Sequence, residues 1–293
     1  MNRPGFRPIG IAIVGLAIAA CRPSPAPTAE FRIELPIAGV AAERAAPLFT
    51  VRLTSAADLL ARLPKAITTV ADPEYKQAQT YESVALTALI DAARPAGIGS
   101  DVTSDGSLRL VLLATDGYRS VTTIETARRF DGRIALRDLK AEPGHSWRPI
   151  PSKPDMTPAP SYLVWPSANA DLPWPYAVAE IEVWNVEPVD LTAPGTDAAA
   201  VTGHAVFKKR CFSCHSVNGV GGAVGPELNV PANITEYWNR AALKQFITNP
   251  ASIRRNARMP PPGLSESDVD AVIAYLVHMK GLKQVTGGTP KRE

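Results

Sequence analysis

Cysteine is almost absent from the chain: three thiols in 293 residues, at Cys21, Cys211 and Cys214. Cys21 lies in an amino-terminal apolar segment and the other two stand three positions apart, so no thiol is left for a disulfide framework, a four-cysteine zinc site or a catalytic cysteine elsewhere. Histidine is scarce as well, at four residues, and only His145 falls within positions 30–190, which makes a metal site there a poor reading. Aromatic residues are 6% of the chain. The apolar run Ile9–Ala20 covers twelve residues, whereas a bilayer-spanning helix needs about 20. Charge of one sign is lacking overall, with a net +3, and no recognised nucleic-acid module accompanies it, so a nucleic-acid partner is excluded.

What is present is unevenly distributed. Residues 1–29 hold three basic and no acidic side chains, residues 30–195 hold 16 basic against 21 acidic, and residues 196–293 hold 12 against 7. Two oppositely charged halves either dock on each other or address different partners. A length of 293 residues with 45% apolar and 20% charged content fits two ordinary globular domains.

The amino terminus reads as an address. Arg3 and Arg7 precede Ile9–Ala20, and the run closes on Ile18-Ala19-Ala20-Cys21. This resembles the lipobox of bacterial lipoproteins, in which the cysteine is acylated; a plain signal with Ala-rich cleavage is the alternative. The expectation is a signal peptide and anchor cysteine over 1–21, with Cys21 the lipid attachment point on the periplasmic side of a bacterial membrane. A tether over 22–29 follows, extended by Pro23, Pro25 and Pro27.

Residues 30–190 read as an α+β domain, mostly β. Phe31–Leu35 and Leu48–Leu53 alternate as half-buried strands, and Leu108–Ala114, Arg133–Leu139 and Tyr176–Val186 predict three more. Asp116-Gly117 marks a tight turn. Ser55 with Asp58 predicts a capped helix through Leu63, and Ser83 predicts the start of another carrying Val84, Leu86, Leu89 and Ile90. Residues 143–175 contain nine prolines and three tryptophans, Trp147, Trp165 and Trp174, and read as a long loop whose tryptophans are either core residues or a docking surface, the first being preferred. The order Tyr81-Glu82-Ser83-Val84-Ala85-Leu86, Asp116-Gly117-Tyr118, Tyr162-Leu163-Val164-Trp165-Pro166 and Ile181-Glu182-Val183-Trp184 resembles the molybdopterin-binding domain of the sulfite oxidase type. That family ligates molybdenum through a protein cysteine. This half has none, so the resemblance implies a cofactor-free scaffold.

A linker at 191–200 leads to Cys211-Phe212-Ser213-Cys214-His215. Two thiols at i and i+3 followed by an imidazole form the arrangement that attaches a c-type haem, each sulfur making a thioether and the histidine facing the iron. A Cys-x-x-Cys redox pair or half a zinc site leaves the adjoining histidine unexplained. From Asp197 to Lys280 the chain resembles an all-α class I cytochrome c domain, placed here at 201–283 with a tail at 284–293. Gly203 and Phe207 on one helical face are expected to pack on Ala274-Tyr275-Leu276, in a helix capped by Ser265 with Val269, Val272, Ile273 and Leu276 as its apolar stripe.

For the position opposite His215 the candidates are His204, Met259, His278 and Met279. Met259 stands in Ala257-Arg258-Met259-Pro260-Pro261-Pro262, a loop that prolines keep from becoming helix, and matches the family's methionine loop. Pro226 and Leu228 resemble the family's Pro-x-Leu element, which implies a hydrogen bond from the axial histidine to the Pro226 carbonyl. Gly219–Gly225 lacks a following Lys-Ser/Thr and is no phosphate loop; it lets backbone approach the porphyrin edge. Trp238 and Tyr237 read as propionate neighbours or core.

The expected cofactor is therefore one haem c, covalently held by Cys211 and Cys214, with His215 and Met259 on the iron and no catalytic residue assigned. A saturated iron passes single electrons rather than binding substrate. Lys208, Lys209 and Arg210 beside one ligand and Arg254, Arg255 and Arg258 beside the other imply a redox partner protein that is acidic where it docks. Two other classes stay open: a haem subunit of a molybdenum-type oxidoreductase whose first domain binds substrate or cofactor, and a binding module gated by haem redox state.

Overall fold

The computed structural model describes residues 46–99, 106, 108–167, 172–185, 190 and 192–283. The strand expected at Phe31–Leu35, the amino-terminal address with Cys21, and the carboxy-terminal tail lie outside the described residues. No helix among the described residues is long and apolar enough to cross a membrane.

The first part is mostly β. One antiparallel sheet has the order β1-β8-β4-β5, from Phe49–Arg52, Val178–Trp184, Arg109–Ala114 and Arg119–Thr123. The second, also antiparallel, has the order β2-β3-β6-β7, from Lys65–Asp72, Gln77–Ala85, Arg133–Asp138 and Tyr162–Val164. Alternation decides the faces. Leu163 and Ile134 turn toward the first sheet to join Leu110, Leu112, Ile181 and Val183, while Tyr162, Val164 and Ala135 turn away into a second layer with Tyr81, Val70 and Trp147. Short helices α1 (Ala57–Arg62), α2 (Leu86–Ala93) and α3 (Ile124–Arg129) cover the first core, α2 contributing Leu86, Leu89 and Ile90.

Several local expectations change. Helix α1 begins after Ala56 without a side-chain cap, because the Ser55 hydroxyl instead reaches the Arg52 carbonyl at 3.4 Å. Ser83 opens no helix: β3 runs on to Ala85, and the Ser83 hydroxyl bonds Thr68 across the ladder at 2.7 Å and accepts from Arg133 at 2.8 Å. The proline-rich stretch contains β7, which sits at a sheet edge between Pro160 and Pro166 where missing amide donors cost least. Its tryptophans are core residues: Trp147 and Trp165 are buried and Trp174 packs against both layers. His145 is exposed.

The second part is helical. Helix α4 (Ala198–Arg210) is capped by Asp197, whose carboxylate accepts from the Ala200 amide, and α5 (Ile234–Tyr237), α6 (Arg240–Thr248), α7 (Pro250–Ile253) and α8 (Glu266–Met279) follow. Ser265 caps α8. Between α4 and α5 lies a two-stranded ribbon, β9 (Ser216–Val217) with β10 (Val220–Gly221), so this part is not purely helical as expected. Helices α4 and α8 cross at Gly203: a Cβ there would stand 1.9 Å from the Ala271 carbonyl oxygen and 2.7 Å from the Tyr275 Cβ. Glycine is what permits the approach, and one turn on Phe207 lies against the Tyr275 ring with centroids 5.3 Å apart. Val269, Val272, Ile273 and Leu276 are buried in the same core.

Candidate haem-attachment site

The motif is a continuation of α4. The Cys211 amide donates to the Phe207 carbonyl at 2.8 Å, and the amides of Cys214 and His215 both donate to the Cys211 carbonyl, at 3.0 and 2.9 Å. The i and i+3 thiols are thus held on one turn, with Phe212 between them anchored in the helical core. Both cysteines are half-buried, and neither is in a disulfide. Burial pushes the Cys211 thiol up to about 12, and burial followed by the charge of Asp116 raises Cys214.

The loop after the motif is shaped around it. The Gly222 amide donates to the Phe212 carbonyl at 2.8 Å and the Gly225 amide to the Cys214 carbonyl at 2.7 Å. A Cβ on Gly222 would stand 2.0 Å from the Ser213 carbonyl oxygen, and one on Gly225 only 2.3 Å from the His215 ring. The glycines of this stretch therefore let the loop close on the motif backbone and on the imidazole itself. His215 Nδ1 lies 2.9 Å from the Pro226 carbonyl oxygen. With Nδ1 as donor, that bond fixes the tautomer and leaves Nε2 as the free lone pair.

Sequence reasoning missed the residues that brace this loop. The Glu227 carboxylate accepts from the amides of Asn218, Gly219, Asn229 and Val230, at 3.0, 2.9, 2.7 and 3.2 Å. Beneath it, Asn229 donates to Asn218, and Asn233 donates both to Asn229 and to the Leu276 carbonyl of α8, all within 2.7–2.8 Å. Three buried asparagines among Gly and Pro read in sequence only as turn formers.

The four candidates for the position opposite His215 fall in different surroundings. His204 packs its ring on Tyr275 at 5.3 Å and lies 3.3 Å from the Thr192 hydroxyl. His278 faces Asp197 at 3.9 Å, and Met279 is 2% exposed inside the helical core. Met259 is half-buried at a bend in the irregular segment between α7 and α8, ahead of Pro260. Of the basic residues, Lys208, Lys209, Arg210, Arg254, Arg255 and Arg258 are all exposed, and the Arg254 guanidinium lies over Trp238 and Phe246 at 5.3 and 5.6 Å. Trp238 thus belongs to that stack, while Tyr237 is 58% exposed.

The residues fit a covalently held haem: two thiols on one turn, an oriented imidazole, and glycines where a side chain would collide with the motif backbone or the imidazole. Among the described residues no cluster of three or more His, Cys, Asp or Glu could hold a bare metal ion.

The family model described as Cytochrome c matches residues 200–280. Cytochrome c oxidase subunit 2 of Alkalihalophilus pseudofirmus is 38% identical over 93 residues, 29% of this chain and 27% of that protein. The chain thus spans about a quarter of the length of the curated relative it matches. No solved structure matches the chain.

Proposed function

We propose, from the premise that residues 200–280 are a cytochrome c domain, that the chain is a membrane-tethered electron carrier: a single haem c bound through Cys211 and Cys214, ligated by His215 and Met259, and served by the strand-rich part as a docking module. The observation that carries the reading is the His215 imidazole, held by the Pro226 carbonyl on one side and closed in by Gly225 on the other. When bound, the haem supplies one-electron redox chemistry. The chain's own part is to place the two sulfurs on one turn, present Nε2 of His215, keep the motif anchored through Phe212, and exclude water with the Gly219–Gly225 loop.

Met259 is favoured because the alternatives are engaged: His204 with Tyr275 and Thr192, His278 near Asp197, Met279 in the core. The exposed basic residues next to Cys211 and to Met259 in sequence support a partner that is acidic at its docking surface, and the similarity to part of an oxidase subunit supports a partner that is itself a redox protein. Arg3, Arg7, the short apolar run and Cys21 support export and lipid anchoring.

The test is carbon monoxide on the ferrous protein. The wild type is expected to be inert because its sixth position is filled, and Met259→Ala to bind at once with its haem still attached. Carbon monoxide binding by the wild type at full occupancy refutes the closed iron; an inert Met259→Ala refutes the choice of methionine.

A further inference from the structure

Strand β5 is an outer strand of the first sheet, and the segment that lies along its free side is the haem-attachment motif. The Arg119 amide, at the start of β5, donates to the Ser213 carbonyl at 2.9 Å, and the Ala223 amide returns a bond to the Gly117 carbonyl at 2.8 Å. Ser213 sits between the two cysteines, so one of the two bonds is made by the motif's own backbone. The Tyr118 hydroxyl is also hydrogen-bonded to the Ser213 side chain.

Three further features make this contact a built one. Gly117 has φ +89°, and a Cβ on it would stand 3.0 Å from the Ala223 Cβ and 3.1 Å from the Ala223 carbonyl carbon, so the turn is seated without slack. Val121 of β5 packs against the helical core that contains Phe212. Behind the strand, Arg119 is 5% exposed and pairs with Glu182 of β8 at 3.0 Å, and Glu182 also accepts from Trp184 Nε1 at 2.9 Å. The outer strand is therefore held rigidly from within its own sheet.

We infer that the β4–β5 turn and the β5 edge are a fixed shield over the Ser213–Cys214 side of the motif, with Gly117, Tyr118 and Val121 as positioning residues that keep water and other proteins off that side and hold the haem's reduction potential up. The inference rests on the cytochrome reading above. The physical reason is solvent access: water admitted beside the motif stabilises the more highly charged ferric state, and burial favours the ferrous one. Closing an exposed strand edge with the motif also removes a site at which another chain would pair.

The experiment uses the full-length, haem-loaded protein and the variants Val121→Glu, which places a carboxylate in the contact, and Tyr118→Phe, which removes only the hydroxyl. Hydrogen exchange is read at the Arg119 and Ala223 amides, and the ratio of ferrous to ferric haem is read in a fixed redox buffer. Both amides are expected to be protected in the wild type and to exchange about tenfold faster in Val121→Glu, the equivalent of about 1.4 kcal/mol. The ferrous-to-ferric ratio is expected to fall roughly three- to tenfold in Val121→Glu and by less in Tyr118→Phe. Unprotected amides in the wild type overturn the shield, and so does faster exchange with an unchanged ratio. If Val121→Glu does not fold, Tyr118→Phe decides: no change in either readout overturns it. Haem content measured on the same wild-type sample separates the two readings, since absence of covalent haem removes the cytochrome proposal while the amide protection still reports on the contact.

Discussion

Gly225→Ala places one methyl group where the structure has no room for it. The new carbon would stand 2.3 Å from Cε1, 2.6 Å from Nδ1 and 2.8 Å from Nε2 of His215, against the 3.4 Å or more of an ordinary contact. Either the ring or the loop must shift by about 1 Å, on the scale of overpacking that costs about 1–3 kcal/mol. A shift of that size takes Nδ1 out of reach of the Pro226 carbonyl, now 2.9 Å away. Loss of such an orienting partner weakens a metal-bound histidine by about 10- to 100-fold.

On the proposed ligation the consequence is visible without loss of haem, because Cys211 and Cys214 hold it independently. A histidine must be deprotonated to ligate, so acid displaces it; a ligand weakened by about 10- to 100-fold lets go at a pH about one to two units higher. Acid titration of the ferric protein, followed by the low-spin to high-spin change in its absorption spectrum, measures that midpoint. A Gly225→Ala protein with the wild-type midpoint refutes the reasoning, since the methyl group cannot be accommodated with the imidazole in place.

Gly203→Ala should destabilise the helical part despite the usual helix-propensity gain of about 1 kcal/mol, because the added Cβ meets the Ala271 backbone oxygen at 1.9 Å and backbone cannot yield as a side chain would. A net loss of about 1–2 kcal/mol, a drop of several degrees in Tm, is expected by calorimetry. Asn233→Ala removes an N-cap, leaves the Asn229 amide oxygen without its donor and takes one of two donors from the Leu276 carbonyl, which keeps the Lys280 amide; a loss of about 2–3 kcal/mol of stability, read from the denaturant midpoint, is expected. Tyr275 and Tyr75 are both pushed up to about 12, chiefly by burial, from 10.0. Their neutral forms favour the fold, so stability is intact below pH 10 and falls between pH 10 and about 12. Denaturant midpoints across that window, compared with Tyr275→Phe, check the sign, and a stability that rises there contradicts it.

The parts of this molecule that sequence carries well are those whose signals are local. Ser265 caps α8 through its own third residue, Asp116-Gly117 forms the turn it announces, and Gly203 with Phe207 marks a helix crossing because both sit on one face. The spacing of Cys211, Cys214 and His215 is likewise settled within one turn. What was illegible is non-local. Strands β2 and β3 bury polar residues, Thr68, Gln79 and Ser83, which breaks the apolar alternation that identifies a strand; Thr68 pairs with Ser83 and the Gln79 amide oxygen accepts from Arg148, while Gln79 Nε2 is buried without a hydrogen-bond partner. Ser83 looks like a helix cap until Arg133, fifty residues on, is brought to its hydroxyl. Glu227 gathers four amides only after the loop closes, and nothing in Gly117 or Arg119 announces that their backbone will meet Ser213 and Ala223.

The central claim is that this chain moves one electron at a time through one closed haem. A coulometric redox titration of the full-length protein, with haem content determined on the same sample, tests it most directly. The account predicts one covalently held haem and one electron taken up reversibly per chain, with the same spectrum in the presence and absence of carbon monoxide. A second redox centre in the count, or a haem lost on denaturation in acid, would contradict it.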